Sequence, residues 1–338
     1  MKTISSVAKR AGVSPSTVSR VLNHRECVDP VTAKKVLEVI EETGYQPNLI
    51  AKSLKVKKTN NILIIIPSLK STYWVKVIEG IQDEAMKQGY SVFIGDANEN
   101  SQTEQALLNS LKHGNFDGAI LTNTFTPIET LVEQYGRCNL VLCTHYFKQS
   151  DIATVSIDNM GIVKQATQYL VDRNHKKILL INGPEAYAIC QDRVFGFMSA
   201  LHENRIIPTE NMVFHVNECK PFSYENGYKI ANELFSKDKN IATALLVYSD
   251  EMAIGVMQAL ADLGLRVPDD VSVIGLDGTK LAHFSTPMLT TVQQPMYQIG
   301  QNAMKKLVDI LNGIQNHPDA PQLFDANIKE RGSVKILD

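Results

Sequence analysis

The chain has 338 residues, 44% of them hydrophobic and 21% charged, with a formal net charge of −2. That length exceeds what one small core holds, and the composition excludes a disordered or fibrous protein. No apolar run approaches the roughly 20 residues of a membrane span, and Met1–Ser6 lacks the pattern of a secretory signal, so a cytoplasmic location is expected.

The net charge hides an asymmetry. Residues 1–58 hold eleven Lys and Arg against five Asp and Glu, a balance of +6 that leaves −8 for the remainder. A basic head on an acidic body points to a polyanionic partner for the head alone. Within it, Ile4, Val7, Ala8 and Ala11 predict one face of a short helix that Gly12 ends. Ser14-Pro15 reads as an N-cap followed by proline at the first helical position, opening a second helix to about Leu22. Asp29-Pro30 repeats the device for a third helix with Ala33, Val36, Leu37 and Ile40 inward, ended by Gly44. Three short helices, the first two joined by a tight turn, describe a helix-turn-helix head. Asn48–Lys55 predicts a short helix that is unstable alone, followed by a polar tether, Lys57–Asn61.

Beyond the tether, strands and helices alternate. Ile62–Ile66 is a continuous apolar run of the kind buried on both faces. Helices are predicted over 74–88, 104–112, 160–173, 190–204, 224–236 and 251–263, with strands over 91–95, 118–122, 140–144, 177–181, 212–216, 244–248 and 271–276. Such repeats make parallel doubly wound sheets, and about 275 residues are enough for two lobes around a cleft. Five cysteines, Cys27, Cys138, Cys143, Cys190 and Cys219, form no CxxC pair, which argues against a zinc ribbon or a disulfide framework. No metal or cofactor is expected.

The run Thr3–Asn23, with its Val7-Ala8, Gly12-Val13-Ser14 and Thr17-Val18-Ser19-Arg20-Val21-Leu22-Asn23, resembles the head signature of the lactose-repressor (LacI/GalR) family of transcription regulators. Gly44-Tyr45-Gln46-Pro47-Asn48 with Ala51 and Leu54 resembles that family's hinge. Asp117-Gly118, Asp158-Asn159, Gly183-Pro184, Arg193, Ser249-Asp250-Glu251, Val267-Pro268-Asp269-Asp270 and Gly275-Leu276-Asp277 follow in the family's order. The resemblance implies an all-α helix-turn-helix head and an α/β periplasmic-binding-protein-like core of two doubly wound parallel-sheet lobes. It places the head at 1–46, hinge and linker at 47–60, and the core at 61–338. Its N-lobe takes about 61–158 plus 290–320, and its C-lobe about 159–289 plus 321–338.

Hydroxyls near a helix N-terminus hold phosphate, which nominates Ser14, Thr17 and Ser19. By resemblance Pro15, Ser16 and Arg20 read bases, Arg20 being able to bond guanine bidentately. Asn23 and, in the hinge, Asn48, Ala51 and Leu54 complete the DNA-binding set, with Leu54 as a minor-groove wedge. Two such hinges in one groove imply a homodimer on a pseudo-palindromic operator; no leucine heptad follows Arg331–Asp338, so no tetramerising helix is expected. For a small-molecule effector, sugar or sugar derivative, the resemblance nominates Ser68, Tyr73, Trp74, Thr122, Thr144 and His145 from the first lobe. From the second it nominates Tyr187, Arg193, Phe222, Asp250, Asp277 and Gln294.

An enzyme is disfavoured, because no HExxH, GxxxxGK or GxSxG is present. A second regulatory reading starts from Gln294–Gly300 and Ala303–Leu307, which resemble the Gram-positive catabolite control protein. It would make a serine-phosphorylated phosphocarrier protein the partner and Lys305 and Lys306 its contacts.

Overall fold

A computed structural model describes residues 3–45, 58–136, 138–145, 151–208, 210–217, 222–314 and 321–338. The expected hinge, with Asn48, Ala51 and Leu54, lies outside the described residues except for 58–60, as does Cys219. The chain divides into two compact units, Met1–Thr59 and Asn60–Asp338.

The first unit is built on three local caps. Helix α1 (Ile4–Ala11) opens on a reciprocal capping box between Thr3 and Ser6 and closes on Gly12 at φ 69°, a left-handed position that glycine takes without strain. Helix α2 (Pro15–Asn23) is capped by Ser14, and α3 (Pro30–Thr43) by Asp29, whose carboxylate accepts the Thr32 amide at 3.0 Å. Val7, Ala8, Ala11, Val18, Val21, Ala33, Val36 and Tyr45 form the core the three helices share.

The second unit holds two six-stranded sheets. The first comprises β1 (Asn61–Ile66), β2 (Ser91–Asp96), β3 (Gly118–Leu121), β4 (Leu140–Cys143), β5 (Ala153–Ile157) and β11 (Gln322–Phe324). They lie in the order β11-β5-β4-β3-β1-β2, all parallel. Central Ile64 registers with Ile94 on one side and Ile120 on the other. The second comprises β6 (Ile178–Asn182), β7 (Val213–His215), β8 (Ala244–Val247), β9 (Ser272–Gly275), β10 (Thr290–Gln293) and β12 (Asn327–Lys329). Their order is β12-β10-β9-β8-β6-β7, with β12 alone antiparallel.

Helices α4 (Tyr73–Lys87), α5 (Ser101–Lys112), α6 (Ile128–Tyr135) and α12 (Met296–Leu311) belong with the first sheet. Helices α7 (Asn159–Val171), α8 (Ala188–Glu203), α9 (Tyr224–Lys237), α10 (Asp250–Asp262) and the short α11 (Leu281–Phe284) belong with the second. Helices α4 and α12 touch backbone to backbone: a Cβ on Gly80 would run into the Tyr297 carbonyl oxygen, and one on Gly300 into that of Val77.

Two of the expected lobe boundaries move. Thr290–Gln293 is a strand of the second sheet, hydrogen-bonded to β9, so the return to the first lobe comes at α12. Gln322–Phe324 goes back to the first sheet beside β5 before β12 pairs with β10. The chain therefore crosses between lobes near residues 157–159, 293–296 and 324–327. Short strands carrying Thr and Gln give no apolar run that would have marked them.

Candidate functional site

In the first unit, Ser14 Oγ accepts the Thr17 amide at 3.1 Å and lies 2.7 Å from Ser16 Oγ and 2.9 Å from Thr17 Oγ1. Three hydroxyls crowd a helix start whose free N–H groups and dipole favour an anion. Pro15, Ser16, Arg20 and Asn23 are exposed, and Thr17 and Ser19 half-buried. The Arg20 guanidinium has no hydrogen bond or ion pair among the described residues, whereas Asn23 Nδ2 donates to the Ser19 carbonyl at 2.8 Å.

In the second unit a cavity of about 330 Å³ lies between the lobes, at the carboxyl ends of the strands, where open parallel sheets bind ligands. Ser68 follows β1, Thr144 follows β4, Phe222 follows β7, Asp277 follows β9 and Gln294 follows β10; Tyr73 and Trp74 open α4, and Arg193 comes from α8. These eight of the expected effector residues line the cavity.

The other four do not. Thr122 is fully buried and its hydroxyl donates to the Ile65 carbonyl. His145 and Tyr187 meet edge to face, ring centroids 6.4 Å apart, outside the cavity wall. Burial pushes the His145 imidazole down to about 4, so it is neutral at pH 7. Asp250 is enclosed by donors from its own lobe: Thr279 N at 2.6 Å, Thr279 Oγ1 at 2.9 Å, Thr291 Oγ1 at 2.5 Å and Asp277 N at 3.3 Å. Its carboxylate is spent on holding two loops together.

Residues that the sequence did not nominate take their place in the wall, among them Asn123, Phe125, Asn159, Tyr248, Glu99, Glu225 and Glu251. The rule that ligands sit past strand ends would have found Asn123 after β3 and Tyr248 after β8. Phe222 stacks on Tyr248, centroids 4.1 Å apart, and the Arg193 guanidinium lies 4.0 Å from the same Tyr248 ring. Arg193 Nε donates to Asn159 Oδ1 and Nη1 to the Tyr248 carbonyl, each at 2.9 Å, leaving three of the five donors of a guanidinium. Tyr73 Oη donates to Gln294 Oε1 at 2.7 Å while Gln294 Nε2 donates to the Leu276 carbonyl, so a hydrogen-bonded chain crosses from one lobe to the other. Thr144 holds a left-handed φ of 68°, unusual for a β-branched residue, with its hydroxyl bonded to the Thr122 carbonyl.

Asp277 accepts the Asp250 amide at 3.1 Å, yet burial, and after it the nearby Asp250 carboxylate, hold its acid well above the ordinary 3.8, with Arg193 opposing. The folded state then keeps a proton that the unfolded chain releases, so this group lowers stability progressively as pH rises from about 4 through its raised value. Asp277→Asn, which keeps an acceptor for the Asp250 amide, should remove that penalty. The stability difference, variant minus parent, should grow with pH in urea unfolding; a difference flat in pH would show that folding does not raise the Asp277 acid.

Residues 59–330 match the family of periplasmic binding proteins and sugar binding domain of LacI family, and residues 3–48 match bacterial regulatory proteins, lacI family. The chain belongs to the LacI family. It is a DNA-binding transcriptional repressor with a small-molecule effector. The HTH-type transcriptional repressor CytR of Escherichia coli K12 is 32% identical over 336 residues, 99% of this chain and 97% of that one. Catabolite control protein A of Priestia megaterium is 35% identical over 312 residues, 92% of each. Among solved structures, the Lac repressor dimer bound to operator and the anti-inducer ONPF superposes with a TM-score of 0.86 at 25% identity, covering 98% of this chain and 99% of that one. A CelR–cellobiose complex gives 0.74 at 25%, covering 98% and 100%. No described helix of this LacI-family chain is long and apolar enough to cross a membrane.

Proposed function

We propose that this protein represses transcription as a homodimer on a pseudo-palindromic operator and that an uncharged, sugar-like molecule in the interlobe cleft sets its operator affinity. The observation that carries this is the two-sided cleft wall: Arg193 and Asp277 from one lobe face Ser68 and Trp74 from the other. A ligand touching both sides binds one lobe arrangement better than another, which is the condition for allosteric control.

Charge selects the ligand class. Glu99, Glu225 and Glu251 line the cavity against Lys70 and Arg193 alone, while Asp277 beside Arg193 keeps its proton. Burial first pushes the Glu251 acid up and the charges of Glu225 and Glu99 add to it, so a further negative group is disfavoured there. A phosphate would be such a group, whereas hydroxyls donate to carboxylates and accept from Arg193.

On DNA, Ser14, Thr17 and Ser19 position phosphate, Pro15, Ser16, Arg20 and Asn23 face the bases, and the hinge through Asn48, Ala51 and Leu54 takes the minor groove with Leu54 as wedge. Lobe rotation alters the separation of the two hinges and so their pairing. No observation favours the phosphocarrier partner. Lys305 has the buried Glu84 carboxylate as a neighbour, one of the charges holding that acid low, though burial opposes them.

The test has two arms. Selection from random duplexes should give the parent a palindromic consensus, and Arg20→Ala should relax it at one base per half-site at a cost of about 1–3 kcal/mol. Thermal-shift screening should show stabilisation by a neutral sugar and none by its phosphate ester; stabilisation by the ester alone would overturn the ligand class.

A further inference from the structure

We propose that Asn123 is an effector-contacting residue, the hydrogen-bonding partner that the first lobe offers to a pair of adjacent hydroxyls on the ligand. The inference rests on the cleft being the effector site. Asn123 lines the cavity, is only 8% exposed, and its side-chain oxygen has no hydrogen-bond partner among the described residues. A buried amide left unpaired is a standing cost that a fold ordinarily removes. Thr126, Ser156 and Asn182 carry other buried atoms of this kind, and none of the three lines the cleft.

The orphan is not the product of a slack loop. On one side of Asn123, the Thr122 hydroxyl donates to the Ile65 carbonyl at 3.1 Å, and the Thr122 carbonyl accepts from the Thr144 hydroxyl. On the other side, Glu104, fully buried on α5, gathers the loop. Its Oε1 accepts Thr124 Oγ1 at 2.6 Å and the Thr126 amide at 3.2 Å, and its Oε2 accepts the Phe125 amide at 3.0 Å. The backbone is pinned before and after Asn123, a residue of the cavity wall, while its buried side-chain oxygen is left without a partner. Glu104 is thus a positioning residue for this contact.

The chemistry of the amide specifies what it takes. A primary amide presents an acceptor and a two-proton donor on adjacent atoms. A vicinal diol matches both at once, since each hydroxyl donates and accepts; a carboxylate or phosphate would use the donor and leave Oδ1 unpaired. With Arg193 and Asp277 on the opposite wall, a diol held by Asn123 bridges the lobes.

The test uses the full chain and Asn123→Leu, which has nearly the same shape and no polar atom, with cellobiose and ribose as separate probes. Without ligand, the Tm of Asn123→Leu should equal or exceed that of the parent, because no hydrogen bond is lost; a clear fall would make Asn123 a structural residue and overturn the inference. For a probe that stabilises the parent, affinity should drop about tenfold or more in Asn123→Leu. Unchanged affinity would overturn the contact while leaving the cleft reading intact, which Arg193→Ala checks independently. If neither probe moves the parent, the neutral-sugar reading of the cleft fails and the diol contact that rests on it fails with it; a loss of affinity in Asn123→Leu for a probe that stabilises the parent is the result that supports the contact.

Discussion

Replacing Asp250 by alanine should lower the unfolding free energy of the core unit by roughly 4 kcal/mol, while Asp250→Asn should cost about half as much. The carboxylate is fully buried and accepts two backbone amides and two hydroxyls, from Asp277, Thr279 and Thr291. Alanine strands all these donors away from water, and each stranded group loses its full desolvation free energy. Asparagine keeps one acceptor and turns a donor toward the rest. The only tryptophan, Trp74, opens helix α4 of the core unit, so its fluorescence in urea reports this unit without interference from the head. A variant as stable as the parent but deaf to effector would return Asp250 to the ligand-binding set.

The contrast between Asp250 and Asp277 shows where sequence reasoning stops. Both acids lie at the carboxyl ends of neighbouring strands, and the family resemblance points to both as ligand contacts. Which one faces the cavity is decided by Thr279 and Thr291, 29 and 41 residues beyond Asp250, which fill its oxygens first. Thr122 and Asn123 differ for a simpler reason: successive residues at a strand end point to opposite sides, so a shift of one exchanges a core hydroxyl for a cavity amide.

The head was legible because its signals are local. Ser14 with Thr17 and Asp29 with Thr32 each close a cap across three residues, and the prolines and glycines mark the same boundaries. The central strand Ile62–Ile66 was equally plain. By contrast β5, β10, β11, β12, α6, α11 and α12 have no counterpart among the expected elements, and with β10, α12, β11 and β12 go two of the three places where the chain changes lobes. The cavity wall is assembled from the ends of strands in both sheets, so no single window of sequence contains it. What the sequence did carry was order: the landmarks of a family, from which eight of the twelve effector nominations reach the cavity.

Arg193 is where stability and control should come apart. Arg193→Ala should weaken effector binding by about 100-fold, near 3 kcal/mol, and leave operator affinity indifferent to effector. The guanidinium is buried, stacks on Tyr248, and donates to Asn159 Oδ1 and the Tyr248 carbonyl. Asn159 starts the helix that follows the crossing at 157–159, so Arg193 ties one of the chain's passages between the lobes to the cleft wall. Lysine cannot replace it, because one ammonium has no planar fork to serve two acceptors and lie on a ring at once; Arg193→Lys should be nearly as deaf as alanine. Both variants should lose some ligand-free stability, since Asn159 Oδ1 and the Tyr248 carbonyl lose their donor. Operator titrations with and without effector separate the effects. Reduced stability with a preserved effector response would make Arg193 a brace for the lobe crossing at 157–159 and nothing more. A lost response in a folded, operator-binding protein would place it in the coupling itself, because a ligand shifts an equilibrium only through contacts that differ between its two states.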